Sequence, residues 1–293
     1  MSSSNNPLRA VISQLLIYPV KSCAPVALKQ ALLTDQGLDL DRAWMVVDDK
    51  GQCLSQREYP RLALVEPQLR LSDLILRAPG MLGLHLSIDG VERAMKVWLW
   101  DEAIDAWDMG AVAAQWFSDF LGCPARLVRF DPQFDRPSSR RWTGGRTVLN
   151  QFSDGFPLML ISQPSLDGLN ARLQSAGQEP VSMLRFRPNI VLSASDSEQW
   201  QAHDEDRVDV LHIATEGDGV QLKPAKPCSR CTMVDVDPQT AATGNRVLGA
   251  LQTYRRDPRL DGAISFGMNL MVLQGFDQTL AVGQSVSASL RLD

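Results

Sequence analysis

Histidine is scarce in this chain: His85, His203 and His212 are the only three in 293 residues, and none stands at a spacing that pairs metal ligands. A structural zinc site, which needs four protein donors, has little to draw on. Long apolar runs are missing too, since none approaches the ~18 residues that a membrane-spanning helix requires. The opening segment, MSSSNNPLRA, is polar and lacks the apolar core and small-residue cleavage site of a secretory signal. A soluble cytoplasmic protein without membrane association is expected. Basic residues are in the minority, with 29 Lys and Arg against 34 Asp and Glu, for a formal net charge of −5. A surface of that sign exerts no general pull on nucleic acid or anionic lipid, so any anion has to be caught by a local basic pocket. The five cysteines, Cys23, Cys53, Cys123, Cys228 and Cys231, are too scattered for the disulfide framework of a small secreted domain. Their odd number leaves at least one thiol free.

What is present is ordinary globular material, 44% apolar and 22% charged. The length fits one large domain or two of usual size, and two are expected, residues 1–100 and 101–293. Most of the first hundred residues read as strands. Ala43 to Asp48 is a short apolar run followed by a turn at Asp49-Lys50-Gly51, and Leu84, Leu86 and Ile88 alternate before Asp89-Gly90, which predicts a hairpin into Ala94 to Trp100. Helices are predicted over Gly110 to Leu121, stopped by Gly122 and Pro124, and around Leu166, Leu169 and Leu173, opened by Ser162 and Pro164 and ended by Gly177. Strand patterns then return at Asn189 to Leu192, Val208 to Ile213, Thr232 to Val236, Asn269 to Leu273 and Val286 to Leu290. The repeated strand-helix-strand alternation of a doubly wound parallel sheet is not seen. The expected class is mainly β (α+β), barrel-like, with a few peripheral helices.

The segment with most chemical content is Cys228-Ser229-Arg230-Cys231, after Lys223-Pro-Ala-Lys-Pro227. Zinc is disfavoured because no second cysteine pair exists. A thioredoxin-like pair is disfavoured because the TMVDVDP segment after Cys231 reads as strand and turn, where such a pair should open a helix inside a βαβ unit. A single thiolate on a soft metal and two structural cysteines remain as readings that spacing alone does not separate. Asp235 and Asp237 suggest paired carboxylates on one strand face, but a structural role is preferred because Pro238 follows. His85 and His212, on apolar strands, read as hydrogen-bonded structural residues. Arg136, Arg140, Arg141 and Arg146 read either as the mouth of a pocket or as a solvated loop.

The order of several blocks resembles a known family. KPCSRCTMVDVDP, LQTYR and FGMNLMV are similar to the C-terminal blocks of MOSC domains, and IYPVKSC, GLDLDRAWMVVDDKG and QREYPRL to the β-rich domain that precedes them. FSDGFPLMLISQPSLDGLN and RFRPNIV lie between. The resemblance implies a β-barrel MOSC domain behind a smaller β-rich domain, a molybdenum–molybdopterin (Mo-MPT) cofactor, and a metal ligand and catalytic centre at Cys231. Carried onto this sequence, the family's cofactor anchors fall on Lys21, Ser22, Arg42, Arg187 and Asn189, and on Ser162, Gln163 and Ser165 at a helix start. A pterin phosphate suits Lys, bidentate Arg and the free N–H groups of a helix N-terminus. Taken singly, Lys21 reads as a surface lysine, Arg42 as an exposed charge, Ser162 as a cap and Arg187-Pro188-Asn189 as a strand entrance. The resemblance is to amidoxime-reducing and N-hydroxylated-base-detoxifying molybdoenzymes, which implies two-electron reduction of N-hydroxylated compounds. It also extends to molybdenum-cofactor sulfurases, which implies, as an alternative, a non-enzymatic sulfur or cofactor carrier with a Cys231 persulfide. The cysteine spacing of an iron–sulfur cluster is missing, so an external electron donor is expected: a ferredoxin-like protein, a flavin reductase or a cytochrome.

Overall fold

The computed structural model describes residues 7–194 and 200–291. Seven strands close into a barrel in the order Leu158–Ser162, Ile190–Ala194, Leu8–Ile17, Ser285–Leu290, Val208–Ile213, Val220–Ser229 and Ala263–Gln274, the last returning to pair with the first. Every pairing around the ring is antiparallel except Leu158–Ser162 with Ile190–Ala194. Parallel neighbours need a crossover. Of the four α-helices among the described residues, α1 (Ala111–Leu121), α2 (Arg140–Thr143), α3 (Gln163–Ser175) and α4 (Arg246–Gln252), it is α3 that supplies it. The barrel is packed, not hollow: Ile12, Leu15, Leu160, Leu211, Leu222 and Leu270 fill its interior. On the outside, Leu166, Leu169 and Leu173 of α3 cover Met159, Ile161 and Val191. Leu158–Ser162 is therefore buried at all five positions, and reads as a continuous apolar run where one-sided strands alternate. Where the barrel closes, a Cβ at Gly267 would meet the Leu160 carbonyl oxygen at 2.6 Å, and φ there is +79°, so only glycine fits.

The remaining strands build smaller sheets. Trp44–Val47, Arg126–Phe130, Glu102–Asp108 and Arg93–Leu99 form one of four strands; Glu66–Arg70, Asp73–Arg77 and Leu84–Ser87 form one of three. Helix α1 lays Trp116, Phe117 and Phe120 into the cluster that holds Trp44, Leu62 and Leu74, and it ends at Gly122 in the left-handed conformation that its sequence predicts.

Two local expectations are corrected. Asp89-Gly90 does not close a hairpin: Leu84–Ser87 pairs with Asp73–Arg77, and Arg93–Leu99 pairs with Glu102–Asp108. The dipeptide turns the chain between two sheets, because turn chemistry specifies a reversal but not the partner strand. Thr232 to Val236 is not a strand either. Thr232–Asp235 is a 3₁₀ turn, drawn together because the Asp235 carboxylate turns inward to accept the α4 N–H of Val247 (2.7 Å).

Candidate functional site

Residues from both halves of the chain line one cavity of about 520 Å³. Seven of its lining side chains are cationic and two are acidic, so the local excess is positive in a chain whose net charge is −5. Lys21 and Ser22 sit in the turn after Tyr18-Pro19-Val20, where the Cys23 N–H donates to the Val20 carbonyl (3.0 Å) and Ser22 takes φ +67°. The Lys21 ammonium is nearly buried and donates to Asp154 Oδ1 (2.6 Å) and to the Phe152 carbonyl (2.9 Å). Desolvation works against ionised Asp154, but the charge and hydrogen bond of Lys21, helped by Arg42 and Trp100, hold its carboxyl at about 2.

Two arginines form a second anchor. Arg42 (φ +52°) donates from Nη1 to Asp41 (2.5 Å) and from Nη2 to the main-chain oxygen of Arg187 (3.1 Å). Arg187 (φ +58°) donates from Nη1 to the Cys23 carbonyl (2.7 Å), and its Nη2 has no hydrogen-bond partner among the described residues. Both guanidinium groups stack on the buried Tyr18 ring, at 4.4 and 4.1 Å from its centroid. Burial lowers the Arg187 pKa to about 10 against the opposing pull of Tyr18, and pushes the Tyr18 phenol up to about 12. Two non-glycine residues in left-handed backbone conformations, roughly 1 kcal/mol or more each, persist because these contacts over-determine them.

The thiol that meets the cavity in the open is Cys231. The Val220–Ser229 strand ends two residues earlier, and Cys231 opens the Thr232–Asp235 turn as an exposed residue. Arg230 clamps this loop by donating from Nε to the Phe266 carbonyl and from Nη1 to the Phe186 carbonyl, both at 2.8 Å. Cys228 also lines the cavity, but burial pushes its thiol pKa up. Among the described residues no three His, Cys, Asp or Glu side chains gather as a metal site. A soft metal ion at Cys231 would take its other donors from outside the chain, and an oxyanion would find the free Nη2 of Arg187 beside Arg42 and Lys21. The donor set thus fits a metal carried by an anionic organic ligand.

Two family descriptions match the chain in tandem, "MOSC N-terminal beta barrel domain" over residues 9–124 and "MOSC domain" over residues 149–287. This chain belongs to the MOSC family. Rat mitochondrial amidoxime reducing component 2 is 35% identical over 83% of this chain and 72% of its own length. Human mitochondrial amidoxime-reducing component 1 is 34% identical over 84% and 73%. Human molybdenum cofactor sulfurase is 27% identical over 89% of the chain, which spans 30% of that longer protein.

Not every expected anchor of the MOSC domain reaches the cavity. Ser162, Gln163 and Ser165, the expected anion site at the start of α3, do not line it. That N-terminus is already filled by the buried carboxylate of Glu205, which accepts from Ser162 N (3.2 Å), Ser162 Oγ (2.8 Å) and Ser165 Oγ (2.7 Å), while Gln163 turns outward to Asp167. Asn189 does line the cavity, yet its amide is engaged, accepting from Met159 N and donating to the Leu16 carbonyl, both at 3.1 Å. It ties the start of the Ile190–Ala194 strand to Leu158–Ser162 and Leu8–Ile17.

The remaining candidates divide by burial. Arg136 is buried and clamps the 150–153 loop through Asn150 Oδ1 and the Ser153 carbonyl (2.6 Å each), whereas Arg140, Arg141 and Arg146 are exposed. Asp235 caps α4 and Asp237 pairs with Arg185 (2.7 Å), which is the structural role preferred for both; their shared strand face does not exist. His85 and His212 are exposed on their strands and have no side-chain hydrogen bond among the described residues, contrary to expectation, because alternation turns them to solvent. Trp100, Ser138, Asn150 and Asp154 line the cavity without having been expected; only Asp154, inside the FSDGFP block, carried a sequence signal.

Proposed function

We propose that this chain is a molybdenum-cofactor oxidoreductase that reduces N-hydroxylated compounds. The observation that carries the reading is the exposed Cys231 thiol on the wall of a cavity that Lys21, Ser22, Arg42 and Arg187 also line. The Cys231 thiolate would hold the metal, and Lys21, Ser22, Arg42 and Arg187 the terminal phosphate of the pterin, the arginines through charge-assisted hydrogen bonds. When bound, the cofactor supplies two-electron removal of oxygen from an N–OH group, consuming two protons and releasing amine or amidine and water. The protein supports it by fixing the Cys231 loop through Arg230 and by holding Arg42 and Arg187 against Tyr18. Similarity to the amidoxime-reducing components favours this reaction. An external electron-transfer protein is the proposed donor.

Similarity to the cofactor sulfurase favours a second reading, a carrier with a persulfide on Cys231. Protein produced with cofactor synthesis intact separates the two. About one molybdenum and one pterin per chain, with benzamidoxime reduced by viologen-reduced protein and the rate lost in Cys231→Ser, supports the enzyme. A cyanide-labile sulfur with no bound metal supports the carrier, and equal rates for wild type and Cys231→Ser would remove Cys231 from either role.

A further inference from the structure

Beside the cavity lies a basic patch that the site itself does not use. From Arg136 to Ser153 the chain carries four arginines and no acidic residue. Arg136 is consumed internally, but Arg140 and Arg141 of α2 and Arg146 just after it are exposed, and none has an acidic partner within 4.0 Å among the described residues. Trp142 joins this patch to the cavity wall: the Arg141 guanidinium lies 5.3 Å from its ring centroid and the Lys226 ammonium 5.7 Å. Lys226 lines the cavity, as do Pro137, Ser138 and Ser139 immediately before α2. A cationic rim flanking an aromatic thus adjoins the cavity that Cys231 lines, on a chain whose net charge is −5.

We propose that this rim is the docking face for a small acidic electron-transfer protein, an inference that rests on the reductase reading above. Reduction of one N–OH group requires two electrons, so a donor carrying an iron–sulfur, flavin or haem group is oxidised as the N–O bond is broken. Such a donor has to approach the cavity wall and leave again. Weak electron-transfer encounters use small interfaces, and complementary charge at the rim raises their association rate by about 10- to 1000-fold without tight binding. The rest of this acidic surface would repel the same partner, which orients its approach.

The test compares wild type with Arg140→Glu/Arg141→Glu in the cofactor-loaded protein, with a reduced acidic [2Fe–2S] ferredoxin as donor and benzamidoxime as acceptor. The double variant should lose roughly tenfold or more in kcat/KM for ferredoxin at low ionic strength, and the difference should shrink as salt is added. Turnover driven by reduced methyl viologen should be the same in both proteins. Equal ferredoxin titrations would overturn the docking face, whereas failure of viologen-driven turnover in wild type would overturn the reductase reading instead. Salt-dependent retention of a DNA duplex that the variant loses, with ferredoxin turnover unchanged, would show a general polyanion site and likewise overturn the proposal. Restoration of the variant's rate by a ferredoxin with Lys in place of surface acids would support it.

Discussion

Arg42 donates from its guanidinium to the main-chain oxygen of Arg187 at 3.1 Å, so two residues 145 positions apart are locked to each other and to the faces of one tyrosine. Both hold left-handed backbone angles, and both line the cavity. The anchor is therefore held by contacts within the chain, and the positive charge of one arginine is tolerated beside the other through Asp41 and the Tyr18 ring.

Arg187→Ala should lower molybdenum and pterin content of the isolated protein by about 10- to 100-fold in affinity, the range seen when groups supporting a bound metal are removed. Arg187→Lys should recover little, because an ammonium neither stacks on Tyr18 nor reaches the Cys23 carbonyl with a second donor to spare. Elemental analysis after desalting decides it; full occupancy in the alanine variant would remove Arg187 from the anchor.

Tyr18→Phe is the matching control. The phenol oxygen has no partner among the described residues, so its loss should change stability by less than about 1 kcal/mol, since no hydrogen bond is broken. A drop in Tm beyond a few degrees, or loss of cofactor, would show that the hydroxyl is engaged in the loaded protein.

Glu205 is fully buried, and desolvation raises its pKa despite the hydrogen bonds from Ser165 and Ser162. A carboxyl with a raised folded-state pKa holds its proton longer in the native state. Its contribution is greatest below the unfolded value near 4.5 and declines as pH rises through the folded one. Glu205→Gln should therefore remove part of the loss of stability as pH rises above 4.5. Glu205→Ala, which leaves the Ser162 N–H and a serine hydroxyl without their buried acceptor, should cost about 2–4 kcal/mol. Urea titrations of the three proteins at several pH values read both effects, and a Gln variant with the wild-type pH slope would contradict the assignment.

His203 behaves oppositely. Burial, then the charges of Arg255 and Arg172, lower its pKa from 6.5 to about 4. A base with a depressed folded-state pKa binds fewer protons folded than unfolded, so stability falls as pH drops from 6.5 towards 4. His203→Gln should flatten the Tm profile across that window while leaving Tm at pH 8 within a few degrees; an unchanged profile would place the acid sensitivity elsewhere.

The short apolar runs, the Gly122 stop, the Ser162-led helix and the near-alternating strand at Val208–Ile213 are local signals, and they carried the mainly β class and most of the element types. The KPCSRC, YPVKS and RPN blocks likewise marked the residues that line the cavity. Asp154 lay inside the FSDGFP block but was not singled out within it, and Trp100 was not marked at all, because a tryptophan at the end of a strand carries no local signature of a shared wall.

Residue order alone determined which chemical groups this protein owns: a free thiol at Cys231, cations at Lys21, Arg42 and Arg187, and a strand-rich chain to carry them. Only the closed fold decided which of them meet. Barrel closure brought Arg187 against Cys23 and Arg42, yet it also delivered Glu205 to the start of α3 and so filled the anion site that Ser162 and Ser165 advertise. The physical reason is that a helix N-terminus or an arginine states a need for a partner, and the partner is chosen by contacts between residues far apart in the chain.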